Sequence, residues 1–122
     1  NLDWFPTLLA MAGVGMKDDT LIHGRNFLPL LKGESIPWEE RFYGEYGMHH
    51  YEVCDMRVYR TPEWKLLRDF RRPGKDELYY LAEDPGERRN LIDDPAYAAQ
   101  RHLLSQQLNA HHARLEASRI TP

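Results

Sequence analysis

The chain has 122 residues, the length of one domain, with 16 Lys and Arg residues against 19 Asp and Glu residues. A net charge of −3 argues against a general nucleic-acid-binding protein, which usually presents a basic surface, so we expect no nucleic-acid partner. No apolar run approaches the ~20 residues that a membrane-spanning helix needs, so we expect no membrane partner. The single cysteine, Cys54, excludes an intrachain disulfide. Because the chain begins at Asn1 without Met, we interpret it as part of a longer protein whose compartment is unknown.

The first 40 residues predict a short helix followed by an irregular linker. Asp3 is a typical helix cap, Pro6 suits the first turn and Gly13 is a natural stop, so about three turns of helix are expected between them. The apolar cluster at 27–31, closed by Gly33, indicates a turn or a single helical turn. A helix this short is marginal in water, so we expect it to dock on another part of the protein.

Residues 41–82 predict strands joined by short turns. The strands are expected at residues 41–46, 56–61, 64–70 and 77–82. Residues 47–55 are predicted to be a polar, aromatic loop, while Pro62 and Pro73-Gly74 mark the later turns. Consecutive strands with short connections predict an antiparallel sheet.

The last segment, from about Pro95 to Arg119, predicts a long amphipathic helix that Asp94 caps. Its predicted inner face holds Ala96, Ala99, Leu103, Leu104, Leu108, His111 and Leu115. Such a helix is expected to lie across the apolar face of the preceding sheet. The predicted fold class is α+β: about four antiparallel strands packed against a long C-terminal helix, preceded by a short N-terminal helix and an irregular linker.

The residues show no self-contained catalytic set. The sequence has no HExxH motif, EF-hand loop, Gly-rich phosphate loop or nucleophile elbow. The adjacent pairs His49-His50 and His111-His112 are poor chelators, because neighbouring side chains diverge. Cys54 is interpreted as a half-buried thiol at a strand end. We therefore predict no catalytic residue and no metal site in this chain.

Four segments, in this order, resemble the C-terminal end of a type I sulfatase of the alkaline phosphatase superfamily. They are DWFPTLLAMAGV at 3–14, HGRNFLPLLKG at 23–33, RVYRTPEWKLL at 57–67 and ELYYLAEDPGERRNL at 77–91. In that family the first segment closes the catalytic α/β domain, the second is a linker, and the others belong to a small sheet-and-helix subdomain. The resemblance implies that residues 1–40 are the end of the catalytic domain plus linker, and 41–122 the C-terminal subdomain.

The same resemblance implies a parent enzyme that hydrolyses sulfate esters with a formylglycine and a divalent cation, usually calcium. The formylglycine signature C/S-x-P-x-R fails at Cys54, because Met56 and Val58 stand where Pro and Arg are needed. The chain is therefore expected to be structural and not catalytic alone, with the missing catalytic domain as its partner. Asn26 and Tyr80 replace the usual Ser and Asp of the family without touching chemistry.

Loops of the C-terminal subdomain border the substrate pocket in the family, and residues 46–57 are the best candidate here. His49, His50, Tyr51 and Arg57 are expected to contact a sugar ring or its anionic groups. Aromatic faces suit sugar C–H surfaces, and arginine suits carboxylate or sulfate. The alternative is a solvated hairpin loop.

The segment 84–91 is expected to turn the last strand into the long helix. Asp84, Pro85 and Gly86 suit the turn, Asn90 can bond local backbone, and Leu91 can hold the loop to the core.

Two other functions stay open on the sequence. One is a fragment of a phosphonate monoester or phosphodiester hydrolase of the same superfamily, and the other is a stand-alone carbohydrate-binding or interaction module. The apolar residues Trp4, Phe5, Leu8 and Leu9 are expected to lie against the catalytic domain, so the isolated chain is predicted to self-associate through its N-terminal helix.

Overall fold

A computed structural model describes residues 2–16, 22–51 and 53–118 of the chain. The chain divides into two units, Asn1–Glu39 and Glu40–Pro122. The first unit contains helices α1 (Trp4–Met11) and α2 (Leu28–Leu31). The second contains strands β1 (Phe42–His49), β2 (Val53–Arg60), β3 (Trp64–Asp69) and β4 (Glu77–Tyr80), a 3-10 turn (Pro95–Tyr97) and helix α3 (Ala98–Ser118).

Helix α1 is shorter than the predicted three turns, since it has eight residues. Gly13 adopts a left-handed conformation with φ of 67° just beyond its end, which stops the helix. Asp3 occupies the cap position, but its carboxylate makes no capping bond and instead accepts from the Arg25 amide at 2.6 Å. The buried hydroxyl of Thr7 accepts from the Phe27 amide at 3.0 Å. These two polar side chains tie the linker to α1.

The sheet is an antiparallel meander in the order β1-β2-β3-β4. The predicted loop at 47–55 is wrong, because Gly47–His49 pairs with Val53–Asp55 and extends both strands. Strand β4 is shorter than predicted and ends at Tyr80. Glycine and aspartate have weak strand propensity, and the pairing of the two strands overrides it here, where Gly47 pairs with Asp55.

The longer hairpin also corrects the prediction for Cys54. This residue is the second of β2 and pairs with Met48, near the strand end where it was predicted, but at 4% exposure it is buried and not half-buried.

Helix α3 packs on one face of the sheet and confirms the α+β fold. Asp94 caps the 3-10 turn before it, accepting from the Ala96 amide at 3.0 Å. The core holds Tyr59, Leu66, Leu78, Leu91, Leu104 and Leu108. Leu103 was predicted on the inner face but is 46% exposed, because the buried stripe passes through Leu104 and Leu108. The predicted helix end at Arg119 lies outside the described residues.

The segment before α3 covers the free edge of β4. The Asn90 side-chain oxygen accepts from the Leu78 amide at 2.9 Å, and the Leu91 amide donates to the Leu78 carbonyl at 2.8 Å. The two residues thus replace a fifth strand at this edge. Both predicted roles, Asn90 as a backbone partner and Leu91 as an anchor in the core, are confirmed.

The turn at 84–89 is built differently from the sequence expectation. The Asp84 carboxylate accepts from the Arg88 and Arg89 amides at 2.7 and 2.8 Å, as its turn role predicts. The left-handed residue is Glu87 with φ of 53°, and not Gly86. The Glu87 carboxylate binds the Lys65 ammonium at 2.6 Å, which helps to hold this less favourable backbone.

Candidate functional site

The extended hairpin separates the four residues predicted to border a substrate. His49 ends β1 and Arg57 lies in the middle of β2. His50 and Tyr51 form the exposed tip, where residue 52 lies outside the described ranges. The strand register places His49 and Arg57 on the same face of the sheet. Arg57 pairs with Glu45, which lies four residues before His49 on β1, and side chains an even number of residues apart share a face. That spacing puts the two positions about 13 Å apart along the strand direction.

A row of four charged residues crosses the sheet at Arg57. Glu45 on β1 pairs with Arg57 on β2, and Arg57 pairs with Arg68 on β3. The Nε of Arg68 donates to the Asp76 carboxylate at 3.0 Å. Two like charges directly opposite each other are unfavourable in a sheet unless something compensates them.

The Arg57 guanidinium lies on an aromatic ring and lacks an acceptor. Its central carbon is 4.3 Å from the centroid of the Phe70 ring, and that of Arg68 is 5.3 Å from the same centroid. The Nε atom of Arg57 is buried without a hydrogen-bond partner. Within residues 2–16, 22–51 and 53–118, no hydrogen bond or ion pair reaches this guanidinium.

Glu45, the acidic neighbour of Arg57, is engaged elsewhere. The Tyr43 hydroxyl donates to its carboxylate, and Nδ1 of His112 on α3 lies 2.9 Å from the same oxygen. The hydrogen bond from Tyr43 lowers the pKa of Glu45, against burial, which raises it. Burial and the bond to Glu45 together raise the pKa of the Tyr43 hydroxyl. Glu45 is therefore a carboxylate that joins β1 to α3.

The turn that carries Phe70 is held by Asp69, which is 6% exposed. Its carboxylate accepts from the Arg71 and Arg72 amides at 3.0 and 3.1 Å and from Nε of Arg72 at 2.5 Å. Burial acts to raise the pKa of Asp69, but these hydrogen bonds outweigh it and hold the pKa at about 2. Asp69 is therefore ionised near neutral pH and fixes the backbone that follows Phe70.

Sequence reasoning found Arg57 but missed Tyr43, Glu45 and Phe70. The available signal was the period of two along each strand, which puts 43 and 45 on one face of β1. It could not be used without the register, and the register depended on a hairpin whose length was mispredicted. Phe70 was assigned to the third strand, whereas it follows β3 in the turn.

The residues that the structure describes do not fit the cofactors of a sulfatase. Among the described residues, no group of three or more His, Cys, Asp or Glu side chains could hold a metal ion. Cys54 is buried within the sheet and is followed by Met56 and Val58, so it matches no formylglycine precursor. No helix in the described part of the chain is long and apolar enough to cross a membrane.

Comparison with known proteins decides the family. Residues 1–114 match the family model described as N-sulphoglucosamine sulphohydrolase, C-terminal. The chain belongs to this family. It is a sulfatase C-terminal domain of the alkaline phosphatase superfamily.

Relatives of this sulfatase domain are much longer than the chain. A Delta 4,5-hexuronate-2-O-sulfatase of Bacteroides thetaiotaomicron is 34% identical over 103 residues, which are 80% of this chain and 20% of that protein. A solved protein in complex with its substrate D-glucosamine-2-N,6-O-disulfate aligns with a TM-score of 0.79 and 26% identity, over 95% of this chain and 24% of that one. The phosphonate monoester hydrolase of Agrobacterium radiobacter aligns with a TM-score of 0.76 and 26% identity, over 92% and 24%.

Proposed function

We propose that this sulfatase domain is the structural C-terminal part of a sulfuric ester hydrolase and that it borders the substrate pocket. The observation that carries the proposal is the family match over residues 1–114. The reaction is assigned to the rest of the parent protein, since the described residues contain no catalytic or metal-binding set.

The parent is proposed to use a formylglycine and a divalent cation, specifically calcium. Both groups belong to the part of the parent that this chain does not include, because Cys54 and the described acidic residues do not fit them. The chain therefore contributes no ligand to either group in this proposal.

The missing catalytic part is the proposed partner of the sheet face opposite α3. The part of this face around β1 and β2 is apolar and open. Phe42 and Tyr46 are 58% and 55% exposed, and beside them Met56, Val58 and Leu67 help to line a groove of about 200 Å³. An apolar surface of this kind is typical of an interface. This domain covers only 20–24% of the length of these relatives, so the rest of the parent protein is long enough to cover this face.

Helix α1 carries a second apolar surface, in the first unit. Trp4, Phe5 and Leu8 are each more than half exposed, whereas Leu9 is partly buried. We propose that the catalytic part covers these side chains in the parent and that the isolated chain self-associates through them. Light scattering after gel filtration tests this, and a monomer at all concentrations would contradict it.

The residues proposed to border the pocket are His49, His50, Tyr51 and Arg57. Tyr51 is fully exposed at the hairpin tip, where an aromatic ring is free to meet a sugar. The terminal nitrogens of Arg57, which no hydrogen bond of the described residues reaches, are the proposed donors to an anionic group.

Steady-state kinetics of the complete gene product test these roles. Release of sulfate from a sulfated disaccharide is the expected activity. The variant Tyr51→Ala should raise KM several-fold, roughly the effect of one lost aromatic contact, with little change in kcat. The control is Leu103→Ala, which removes an exposed apolar side chain of α3 away from both proposed surfaces and should leave KM unchanged. Equal KM values for both variants would contradict the pocket role.

The similarity to a phosphonate monoester hydrolase favours one second candidate. Hydrolysis of a phenyl phosphonate ester without sulfate release would replace the sulfatase proposal by this one. Glycan binding by the isolated chain, with no hydrolase activity of the complete product, would instead indicate a carbohydrate-binding module.

A further inference from the structure

The Arg57 guanidinium is a half-buried cation with unmet hydrogen-bonding capacity. A guanidinium carries five N–H donors in one plane. One of them, on the buried Nε, has no partner in the described part of the chain. A buried donor on a charged group is costly when left unpaired, and such groups in folded proteins are normally satisfied. Nε itself has no accessible surface, so an acceptor from outside the fold can reach only the two terminal nitrogens, which are not among the buried unpaired atoms of the described residues.

The two acidic residues of the same row do not supply this acceptor. Glu45 lies opposite Arg57, but its carboxylate accepts from Tyr43 and contacts His112. Asp76, at the other end of the row, accepts from Arg68 and from the Asp69 amide. Both contacts of Glu45 are to one oxygen, Oε1, and neither carboxylate of the row accepts a hydrogen bond from Nε of Arg57.

The surroundings of Arg57 suit an oxyanion. The Phe70 ring supports the Arg57 guanidinium, whose central carbon lies 4.3 Å from the ring centroid. The N–H donors lie in the plane of the guanidinium. The Arg68 guanidinium, on the same ring, adds a second positive charge nearby. The Asp69 hydrogen bonds hold the turn that carries Phe70, so the support exists before a ligand arrives.

We infer that Arg57, supported by Phe70, binds an oxyanion group, a carboxylate or a sulfate, through paired hydrogen bonds from its two terminal nitrogens. The inference rests on the proposed function for the source of that group, which would be an anionic substituent of the sugar substrate. A free inorganic anion has the same chemistry, so the experiment separates the two sources.

The test follows the arginine Nε–H resonances of the ¹⁵N-labelled 122-residue chain by NMR. Sodium sulfate, sodium acetate and glucose 6-sulfate are titrated in turn at constant ionic strength. The Arg57 resonance is expected to shift saturably. The variant Arg57→Lys keeps the positive charge but loses the two parallel N–H donors of the guanidinium. Anion affinity, measured from the chemical shift of the Phe70 amide, should therefore weaken by about tenfold or more.

Two further variants separate a built site from general charge attraction. Arg60→Lys makes the same change on the opposite face of β2 and should leave binding unchanged. Phe70→Leu keeps both guanidinium charges but removes the ring, and should weaken binding by roughly threefold, as expected for a lost cation–π support. Backbone spectra of each variant confirm that the sheet is intact.

The outcomes are distinct. Tighter binding of glucose 6-sulfate than of sodium sulfate supports a sugar-borne group, and equal binding supports an oxyanion alone as the ligand. Shifts that never saturate, or equal weakening in Arg57→Lys and Arg60→Lys, would overturn the inference. If the complete protein releases sulfate and Arg57→Lys binds these anions unchanged, the inference fails and the proposed function stands.

Discussion

Replacing Asn90 by alanine should destabilise the second unit through a hydrogen bond at the edge of β4. The side-chain oxygen of Asn90 accepts from the backbone amides of Leu78 at 2.9 Å and Ile92 at 3.0 Å. Its side-chain nitrogen donates to the Asp76 carbonyl at 3.3 Å. Leu78 has no exposed surface, so its amide cannot turn to water when the acceptor is lost. An unsatisfied buried donor costs about 1–3 kcal/mol, and each of the two exposed bonds contributes about 0.5 kcal/mol.

The expected loss in the free energy of unfolding for Asn90→Ala is therefore about 2–4 kcal/mol. Urea unfolding followed by circular dichroism at 222 nm measures it, because α3 dominates the helical signal. The slope of the transition should not change, since the core surface exposed on unfolding stays the same.

Two variants show whether the acceptor itself is responsible. Asn90→Asp keeps the oxygen that accepts from Leu78 and loses the donor to Asp76, so it should cost less than half as much as alanine. Asn109→Ala makes the same chemical change at an exposed position of α3. It should raise the free energy of unfolding by roughly a few tenths of a kcal/mol, because alanine favours the helix. An Asn90→Ala loss no larger than the Asn109→Ala effect would refute the edge-pairing reasoning.

Three other changes follow from the core, the Asp69 turn and Arg57. Leu108→Ala should lower the free energy of unfolding in urea by about 2–5 kcal/mol, because Leu108 is fully buried. Leu103→Ala, at a position that is 46% exposed, should lower it by much less. Equal losses in the two variants would contradict the packing of α3 on the sheet. The pKa of Asp69 is lowered to about 2, so its contribution to stability is fully present above the ordinary value near 3.8 and is lost as pH falls through 2. Urea midpoints between pH 5 and pH 2 should therefore fall more steeply for the natural chain than for Asp69→Asn, and parallel curves would argue against the hydrogen-bonded carboxylate. Arg57→Met should raise the free energy of unfolding by about 1 kcal/mol, because it removes an unpaired donor and keeps contact with Phe70. Arg72→Met removes the bond to Asp69 and should lower the free energy of unfolding. A loss of stability in both variants would show that the Arg57 donor already has a partner.

The sequence was sufficient for the order and type of the main elements. The α3 cap at Asp94, the stop of α1 at Gly13 and the turn at Pro73-Gly74 depend on local backbone chemistry, which a sequence displays directly. The role of Asn90 was also predictable, because asparagine in a turn seeks backbone partners. Its partner Leu78 was not, since that contact joins residues twelve apart across a fold.

The length of the β1–β2 hairpin could not be predicted, and the site changed with it. Gly47 and Asp55 are poor strand residues by local preference, yet they pair with each other, and His49 pairs with Val53 beyond them. That pairing moves His49 from a loop to a strand end and fixes which residues flank Arg57. Long-range register, and not local propensity, therefore determined which charged residues meet.

The charge row across the sheet points to selection for binding over stability. Three of its four members are satisfied inside the fold: Glu45 by Tyr43 and His112, and Arg68 and Asp76 by each other. An apolar residue in place of Arg57 would remove the unpaired donor and the like-charge pair with Arg68, and would give up the attraction between Arg57 and Glu45. A position where the fold would gain from losing a charge is expected to keep that charge for a partner outside the fold. On this reasoning, stability and anion binding should change in opposite directions at Arg57 and in the same direction at Asp69, whose bonds hold the turn beneath the binding group.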